Sequence, residues 1–585
     1  MPGEPISAAR IRIIQVFSLM GAFVIAGALI WLHVLESESL ASLAQEQYQR
    51  DTQIVPQRGS ILDANRTLLA TAEYLNDVEV APNVVQGSGI SANEIASELT
   101  VLLGMPQEQI ATLIDQPDKR YALLARGVTP DTSERIEQLV RSGEVPGITL
   151  SAVPYRTYPL GMLAAHVVGF YSQSGSGQYG VEGYYEDLLQ GAPGRRLSSS
   201  APFGGEAGEA TWVLQPAEPG ADLVLTLDGA VQHIVERELE AALERYGASA
   251  GTIIVMEPYT GAIIAMASRP TYDSNKYQEF HSPNEDAYAN PAISLLYEPG
   301  STFKVFTLAG ALDAGIITPE VKFNDVGSME YWGVEIKNWD EKGHGESNMT
   351  DLIARSSNVG AVWVGDQLGK DLFYEYVTAF GFGAPTGVDL WGEVNGLVPD
   401  PNSRYWYPSS LATNAFGQGI AVTPLQLITA VSALINDGVL MQPYVVQEVH
   451  TEAGVQRIEP RAVRRVVRKD SARTLVSLLV EASKRSESKM HIVDGYDVAG
   501  KTGTASIPLE TGGYHAELTI ASYVGFGPVE SPRFAILVKI DHPTVEPWGS
   551  LVAAPVFREV ASELFRYYHI PPSTPQQTLV QEGSS

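Results

Sequence analysis

The sequence predicts an α+β chain, with a mainly antiparallel sheet and helices packed on it. A mixed α/β pedestal and one N-terminal transmembrane helix precede that domain. Three observations carry this: an uncharged stretch over residues 13–35, strand-like apolar runs bounded by turns after residues 220 and 520, and long apolar segments with helix start and stop signals between them.

No Lys, Arg, Asp or Glu occurs between Arg12 and Glu36, and crossing a bilayer takes ~20 apolar residues. The stretch is too long for the apolar part of a cleaved signal, and no good small-residue cleavage site follows it closely. Arg10 and Arg12 precede it; Glu36 and Glu38 follow. The positive-inside rule then puts the N-terminus in the cytoplasm and everything after Glu36 outside. Residues 36–48 read as a helical stalk. At 585 residues the chain exceeds one ordinary domain. The expected division is a cytoplasmic tail (1–12), a membrane span (13–35), a pedestal with its linker (36–220), a main domain (221–570) and a disordered tail (571–585).

Within the pedestal, Val78-Glu79-Val80 reads as strand, and Ala92 to Leu103 and Thr132 to Arg141 read as helices. The polar, Gly-rich stretch from Ser198 to Gly220 reads as the linker. Asp222 to Asp228 is strand-like, and a helix follows from Ala230 to Tyr246. Gly251 to Met256 and Ala262 to Met266 form a hairpin around the turn Glu257-Pro258-Tyr259-Thr260-Gly261. Thr423 suits an N-cap with Pro424 at the first helical position, and Asn436-Asp437-Gly438 ends that helix. Ala521 to Gly527 and Phe534 to Ile540 flank the turn Pro528 to Pro532 and read as strands.

Composition excludes several classes. The chain carries 39 basic against 68 acidic residues, a net charge of −29, which argues against nucleic acid or an anionic membrane surface as partner. With no cysteine there is no disulfide or thiolate metal site. Ten histidines with no H-E-x-x-H pair make a metallohydrolase a poor fit, and neither a metal nor a cofactor is expected.

Three short strings carry the chemistry: Ser301-Thr302-Phe303-Lys304, Ser356-Ser357-Asn358 and Lys501-Thr502-Gly503. Decoys of the first two exist at Ser486-Glu487-Ser488-Lys489, Ser91-Ala92-Asn93 and Ser282-Pro283-Asn284; the third has no second copy. Context separates them. Ser301 follows the turn signal Glu298-Pro299-Gly300 and opens an apolar run from Phe303 to Leu312 that ends at Gly315, a suitable C′ residue. Such a helix is buried, whereas Ser486 lies among charges. Residues i and i+3 share a helix face, which puts Lys304 beside Ser301. A lysine is no base at neutral pH (reference pKa ~10.4) unless desolvation and a second cation such as Lys501 lower it. Ser301 at a helix start presents its own N–H as half an oxyanion hole, with Thr504 N–H as the other half. Lys501, Thr502 and Thr504 suit a carboxylate, and Gly500 and Gly503 stand where another backbone or a ligand comes close.

On these residues the chain resembles the class B penicillin-binding proteins, membrane-anchored peptidoglycan D,D-transpeptidases with a transpeptidase/β-lactamase-like domain. The resemblance extends to three pedestal segments: Arg58-Gly59-Ser60-Ile61-Leu62-Asp63 with Leu69-Ala70, Arg156 to Gly161 with His166 and Gly169-Phe170, and Gly180-Val181-Glu182-Gly183 to Gly191. Ala64 and Arg66 depart from the family, which carries Arg and Gly there, and a changed loop is expected. Arg58, Arg156, Glu182 and His166 are read as structural contacts. Phe416 to Ile420, Val422 to Leu427, Ala521 to Phe526 and Val552 to Phe557 resemble the division type more than the elongation type.

The resemblance implies acyl transfer at the D-Ala-D-Ala bond of a peptidoglycan stem peptide or lipid-linked precursor, with β-lactams as covalent inhibitors. Ser301, Lys304, Ser356, Asn358 and Lys501 are then catalytic, and Thr502, Gly503 and Thr504 bind substrate. A membrane glycan polymerase and division proteins are the implied partners. An elongation-type enzyme, a D,D-carboxypeptidase and a non-catalytic scaffold of the wall-synthesis complex remain alternatives.

Overall fold

The computed structural model describes residues 8–31, 49–116, 119, 121–199, 210–280, 287–404, 406–509 and 513–573. These divide into two compact units, residues 1–57 with 191–220, and residues 58–190 with 221–585.

The first unit contains a helix over Ala8–Ile30. Its stretch Arg12–Ile30 has a mean hydropathy of 2.3 and is long and apolar enough to cross a membrane. The helix begins before the expected span, so Arg10 and Arg12 lie in its first turns; the expected stalk lies outside the described residues. Strand Gly194–Ser199 pairs antiparallel with Gln49–Ile54 and with Ala210–Gln215. Part of the stretch read as linker is therefore strand.

In the second unit, a long strand over Leu68–Val80 pairs antiparallel with Ala122–Val128 and Ile148–Thr157. Helix Ala92–Leu103 matches its expected bounds because Ser91 and Glu94 form a capping box. Helix Pro130–Ser142 begins on a Thr129 cap. Ile95, Leu99, Ile110 and Ile136 bury against Val78 and Val80. Asp222–Leu225 pairs parallel with Ile61–Leu62 and antiparallel with Val446–Thr451.

Glu182, fully buried, accepts from Arg58 Nε at 2.8 Å and Arg156 Nε at 2.6 Å, and Tyr158 donates to it at 3.0 Å. Arg156 also donates to the Gly59 carbonyl at 2.7 Å. His166 is buried edge-on to Tyr272, and burial lowers its pKa to about 4. These four residues make structural contacts, as their setting among glycines and aromatics suggested. The departure at Arg66 has a physical form. Its φ is +67°, the left-handed region that favours glycine, and its guanidinium reaches Glu448 at 2.7 Å.

The central sheet runs Ile263–Arg269, Ala250–Met256, Phe534–Asp541, Tyr514–Gly527, Ala499–Pro508, antiparallel throughout. Alternating side chains feed two cores. Ile254, Met256, Val524 and Leu537 join one with Val305, Leu308 and Leu427. Ile253, Val255, Tyr523 and Val538 join the other with Val235, Leu239, Phe557 and Leu564. Helices thus cover both faces, which is why Phe534–Asp541 is apolar almost throughout. Helix Pro424–Ile435 starts on a Thr423–Gln426 capping box with Pro424 in its first turn, and all its residues are buried.

Candidate active site

Ser301 lies in a 3-10 turn, Gly300–Phe303, that passes into the α-helix Lys304–Asp313. The sequence suggested one helix; the tighter turn still sets Lys304 one turn on from Ser301. Gly300 has φ +54° and Gly315, just past the helix end, φ +71°, so glycine suits both. Thr302 pins the turn by donating to the Pro299 carbonyl at 2.7 Å.

Ser356 ends the helix Met349–Arg355 in a left-handed conformation, φ +56°. Ser357 caps the next helix, Asn358–Leu368, by accepting from Gly360 N–H at 2.9 Å. The reversal between these helices turns Ser356 and Asn358 toward the nucleophile helix. Lys304 Nζ donates to the Ser356 carbonyl at 2.5 Å and to Asn358 Oδ1 at 2.7 Å, and lies 3.2 Å from Ser356 Oγ. Lys501 Nζ reaches the same Ser356 Oγ at 3.0 Å. One hydroxyl therefore bridges two lysine nitrogens.

Lys501 to Thr504 lie on the edge strand Ala499–Pro508. A Cβ at Gly503 would lie 2.9 Å from the Pro299 carbonyl oxygen and 3.0 Å from Thr302 Cγ2. Only glycine lets this strand approach the nucleophile turn so closely. Thr504 Oγ1 accepts from Gly549 N–H at 3.0 Å, which ties the strand to the segment carrying Trp548.

A cleft of about 970 Å³ is lined by Ser301, Ser356, Asn358, Thr502 and Thr504, together with Trp339, Gln418, Ser506, Trp548 and others. Among the described residues no carboxylate lines it, despite the chain's net charge of −29. Lys304 is fully buried and Lys501 nearly so. Burial, reinforced by the Lys501 charge, pushes Lys304 well below an ordinary lysine; Asp325 pulls weakly the other way. Burial lowers Lys501 to about 7. Lys304 feels the Lys501 charge, whereas burial alone accounts for Lys501. Of the two, Lys304 is the more readily deprotonated, whereas Lys501 holds its proton below about pH 7.

All eight residues named from the sequence converge here, with one detail changed: Lys304 bonds to Ser356 and Asn358, and no Lys304–Ser301 hydrogen bond is among those formed. The decoy Ser486 ends the helix Lys469–Arg485, its Lys489 is exposed, and Ser91 is a helix cap. Ser282 lies outside the described residues. Sequence reasoning missed Trp339 and Trp548, whose rings meet edge-on at 5.5 Å at the cleft. It also missed Asn338, whose side chain meets Ser357 and the start of the following helix. Isolated tryptophans and asparagines carry no spacing signal. Among the described residues no group of three or more His, Cys, Asp or Glu is arranged to hold a metal.

A helix-leading serine, a buried lysine, a bridging hydroxyl and a Lys-Thr-Gly edge strand define the class of penicillin-recognising serine acyltransferases. The comparisons agree. Residues 251–562 match the penicillin-binding protein transpeptidase domain, and residues 53–225 the penicillin-binding protein dimerisation domain. Stage V sporulation protein D of Bacillus subtilis is 32% identical over 94% of this chain and 84% of its own length. Peptidoglycan D,D-transpeptidase FtsI of Escherichia coli is 30% identical over 93% and 90%. A solved peptidoglycan synthetase from Bifidobacterium adolescentis superposes with a TM-score of 0.71 at 26% identity, covering 90% of this chain and 98% of that one. Penicillin-binding protein 3 from Mycobacterium tuberculosis, complexed with aztreonam, gives 0.68 at 25%, covering 90% and 99%. The chain belongs to the class B penicillin-binding proteins, serine-type D,D-transpeptidases of peptidoglycan.

Proposed function

We propose that the protein cross-links peptidoglycan in two steps at Ser301, with its catalytic domain outside the membrane and its N-terminus in the cytoplasm. The observation that carries the mechanism is the Ser356 hydroxyl held between Lys304 and Lys501 in a cleft shared with Ser301.

Neutral Lys304 accepts the Ser301 proton, and Oγ attacks the carbonyl between two D-alanines of a stem peptide. The tetrahedral oxyanion lies between the N–H groups of Ser301 and Thr504, donors that contribute about 3 kcal/mol each in other enzymes. The C–N bond then breaks. Ser356 passes a proton to the leaving D-alanine amine, drawing on protonated Lys304 beyond it. Asn358 uses Oδ1 for Lys304 and one Nδ2 hydrogen for the Lys337 carbonyl; its second hydrogen can hold the peptide amide. Lys501, Thr502 and Thr504 bind the terminal carboxylate, and Gly503 lets them close on the turn. An amine from a neighbouring strand resolves the acyl-enzyme. A β-lactam follows the same first step and stays, because its leaving group remains tethered.

The division-type stretches support a septal role, working with a membrane glycan polymerase and division proteins. Arg10 and Arg12 support the orientation. Ser301→Ala is expected to abolish covalent labelling by fluorescent penicillin; persistent labelling would move the nucleophile elsewhere. Midcell rather than sidewall localisation of a fluorescent fusion tests the septal assignment.

A further inference from the structure

Behind the Ser356-Ser357-Asn358 string lies a second line of buried polar groups outside the family's three strings. Asn338 is 3% exposed. Its Oδ1 accepts from Asn358 N–H at 2.9 Å, Val359 N–H at 3.3 Å and Ser357 Oγ at 3.3 Å. Its Nδ2 donates to Asp325 Oδ1 at 2.8 Å and to the Lys342 carbonyl at 3.1 Å. Asp325 is 2% exposed, and Gly327 N–H donates to the same Oδ1 at 3.0 Å. The neighbouring carbonyl of Lys337 accepts from Asn358 Nδ2 at 2.7 Å.

This arrangement fixes an orientation that the string alone does not. The Asn358 side chain could rotate to exchange its amide ends, which would turn N–H groups toward Lys304. With Lys337 claiming Nδ2, and Asn338 holding the Asn358 backbone, Oδ1 is the end that faces Lys304 Nζ. Asn338 could itself be reversed; the Asp325 carboxylate, which only accepts, forbids that. Asp325 has no cation in contact among the described residues, and a buried carboxylate so placed is costly, so its presence calls for a role.

We propose that Asp325 and Asn338 are positioning residues, a buried carboxylate–amide relay that orients Asn358 and thereby seats Lys304 beside Ser301. The proposal rests on Lys304 being the base for Ser301. Lys304 is faced by two charged groups, Lys501 from the edge strand and Asp325 from the strand Phe323–Asp325. Asp325 is therefore also the only attraction opposing the Lys501 charge among these two. The relay sets geometry and proton affinity together.

The test is the second-order rate of acylation of the full chain by a fluorescent penicillin as a function of pH, read with melting temperature. In Asp325→Asn the opposing negative charge is gone, and the acid limb of the profile moves to lower pH, while the plateau falls. The exchange Asp325→Asn with Asn338→Asp keeps the bond between the two side chains, leaves Gly327 N–H and the Lys342 carbonyl without their partners, and brings the carboxylate one step nearer. Its melting temperature stays below the parent's because of those two lost bonds, but its acid limb lies above that of the parent. A merely structural role would lower the melting temperature or the plateau and leave both limbs where they were. That outcome overturns the proposal. If Asp325→Asn fails to fold, the exchange variant decides alone: an acid limb at or below the parent's contradicts the relay. A parent profile with no acid limb, alongside Ser301-dependent labelling, would instead overturn Lys304 as the base, and the relay with it.

Discussion

In the pedestal, Glu182 is enclosed by Arg58 and Arg156; in the cleft, Lys304 and Lys501 share one neutral hydroxyl. Both places bury charge. In the first, opposite charges meet: burial pushes Glu182 up, but Arg156 and Arg58 outweigh it and its pKa ends low. That cluster stays ionised and inert across the physiological range. In the second, like charges meet with no carboxylate in contact among the described residues, and burial and repulsion act in the same direction. The protein yields a proton there instead of matching a charge. The difference between a structural pin and a reactive base is thus the sign of the neighbour, not the depth of burial.

Removing the unmatched lysine gives the largest expected effect. Lys304→Met should lower the penicillin acylation rate by about 10²–10⁴-fold, the usual worth of a positioned base. It should change the melting temperature only modestly, since an apolar chain replaces a buried amine while the Ser356 carbonyl and Asn358 Oδ1 lose a donor. A large loss of stability with normal acylation would reverse the comparison.

Removing the matched carboxylate should do the opposite. Glu182→Gln leaves Arg156 without its carboxylate and Arg58 with Glu186 alone, and should cost about 3–5 kcal/mol in thermal or denaturant unfolding. Acylation of the folded fraction should change by less than about threefold, because no reacting atom is touched.

The pH dependence sharpens the cleft side of the comparison. Lys501 is lowered to about 7, so its positive charge is present below that pH and lost above it. Acylation by a carboxylate-bearing β-lactam should be about tenfold slower at pH 8 than at pH 6 on this account. In Lys501→Arg the guanidinium stays charged and that alkaline decline should vanish.

The smallest effect is expected at Arg66. Arg66→Gly relieves a left-handed backbone but gives up a half-exposed ion pair with Glu448. The two should offset to within about 1 kcal/mol in a melting experiment.

The reactive cluster was readable from the sequence because its chemistry demands fixed spacings. Ser301 and Lys304 must share a helix face, and the Lys501 strand needs Gly503 to pass the nucleophile turn. The central sheet was equally open, since its strands are short apolar runs between Gly and Pro turns. What stayed hidden was set by contacts distant in sequence. Nothing local marks Asn338, whose partners include Asp325, Ser357 and Lys342, or distinguishes Trp339 and Trp548 from other tryptophans. Strand Ala210–Gln215 lay in a polar stretch whose composition reads as linker; its pairing with Gly194–Ser199 supplies the order that its own residues do not announce. The 3-10 turn at Ser301 was hidden for a similar reason, as the Gly417 carbonyl accepts from Gly300 N–H at 3.0 Å and fixes the entry of the turn.

The central claim is that Lys304 is an uncharged amine in the resting protein. Nitrogen NMR of the full chain with ¹⁵N-labelled lysines, assigned by comparison with Lys304→Met, reads that proton directly. The expected result is a neutral-amine shift at pH 7 that moves to the ammonium value only on acidification. An ammonium signal for Lys304 persisting to pH 9 would contradict the account.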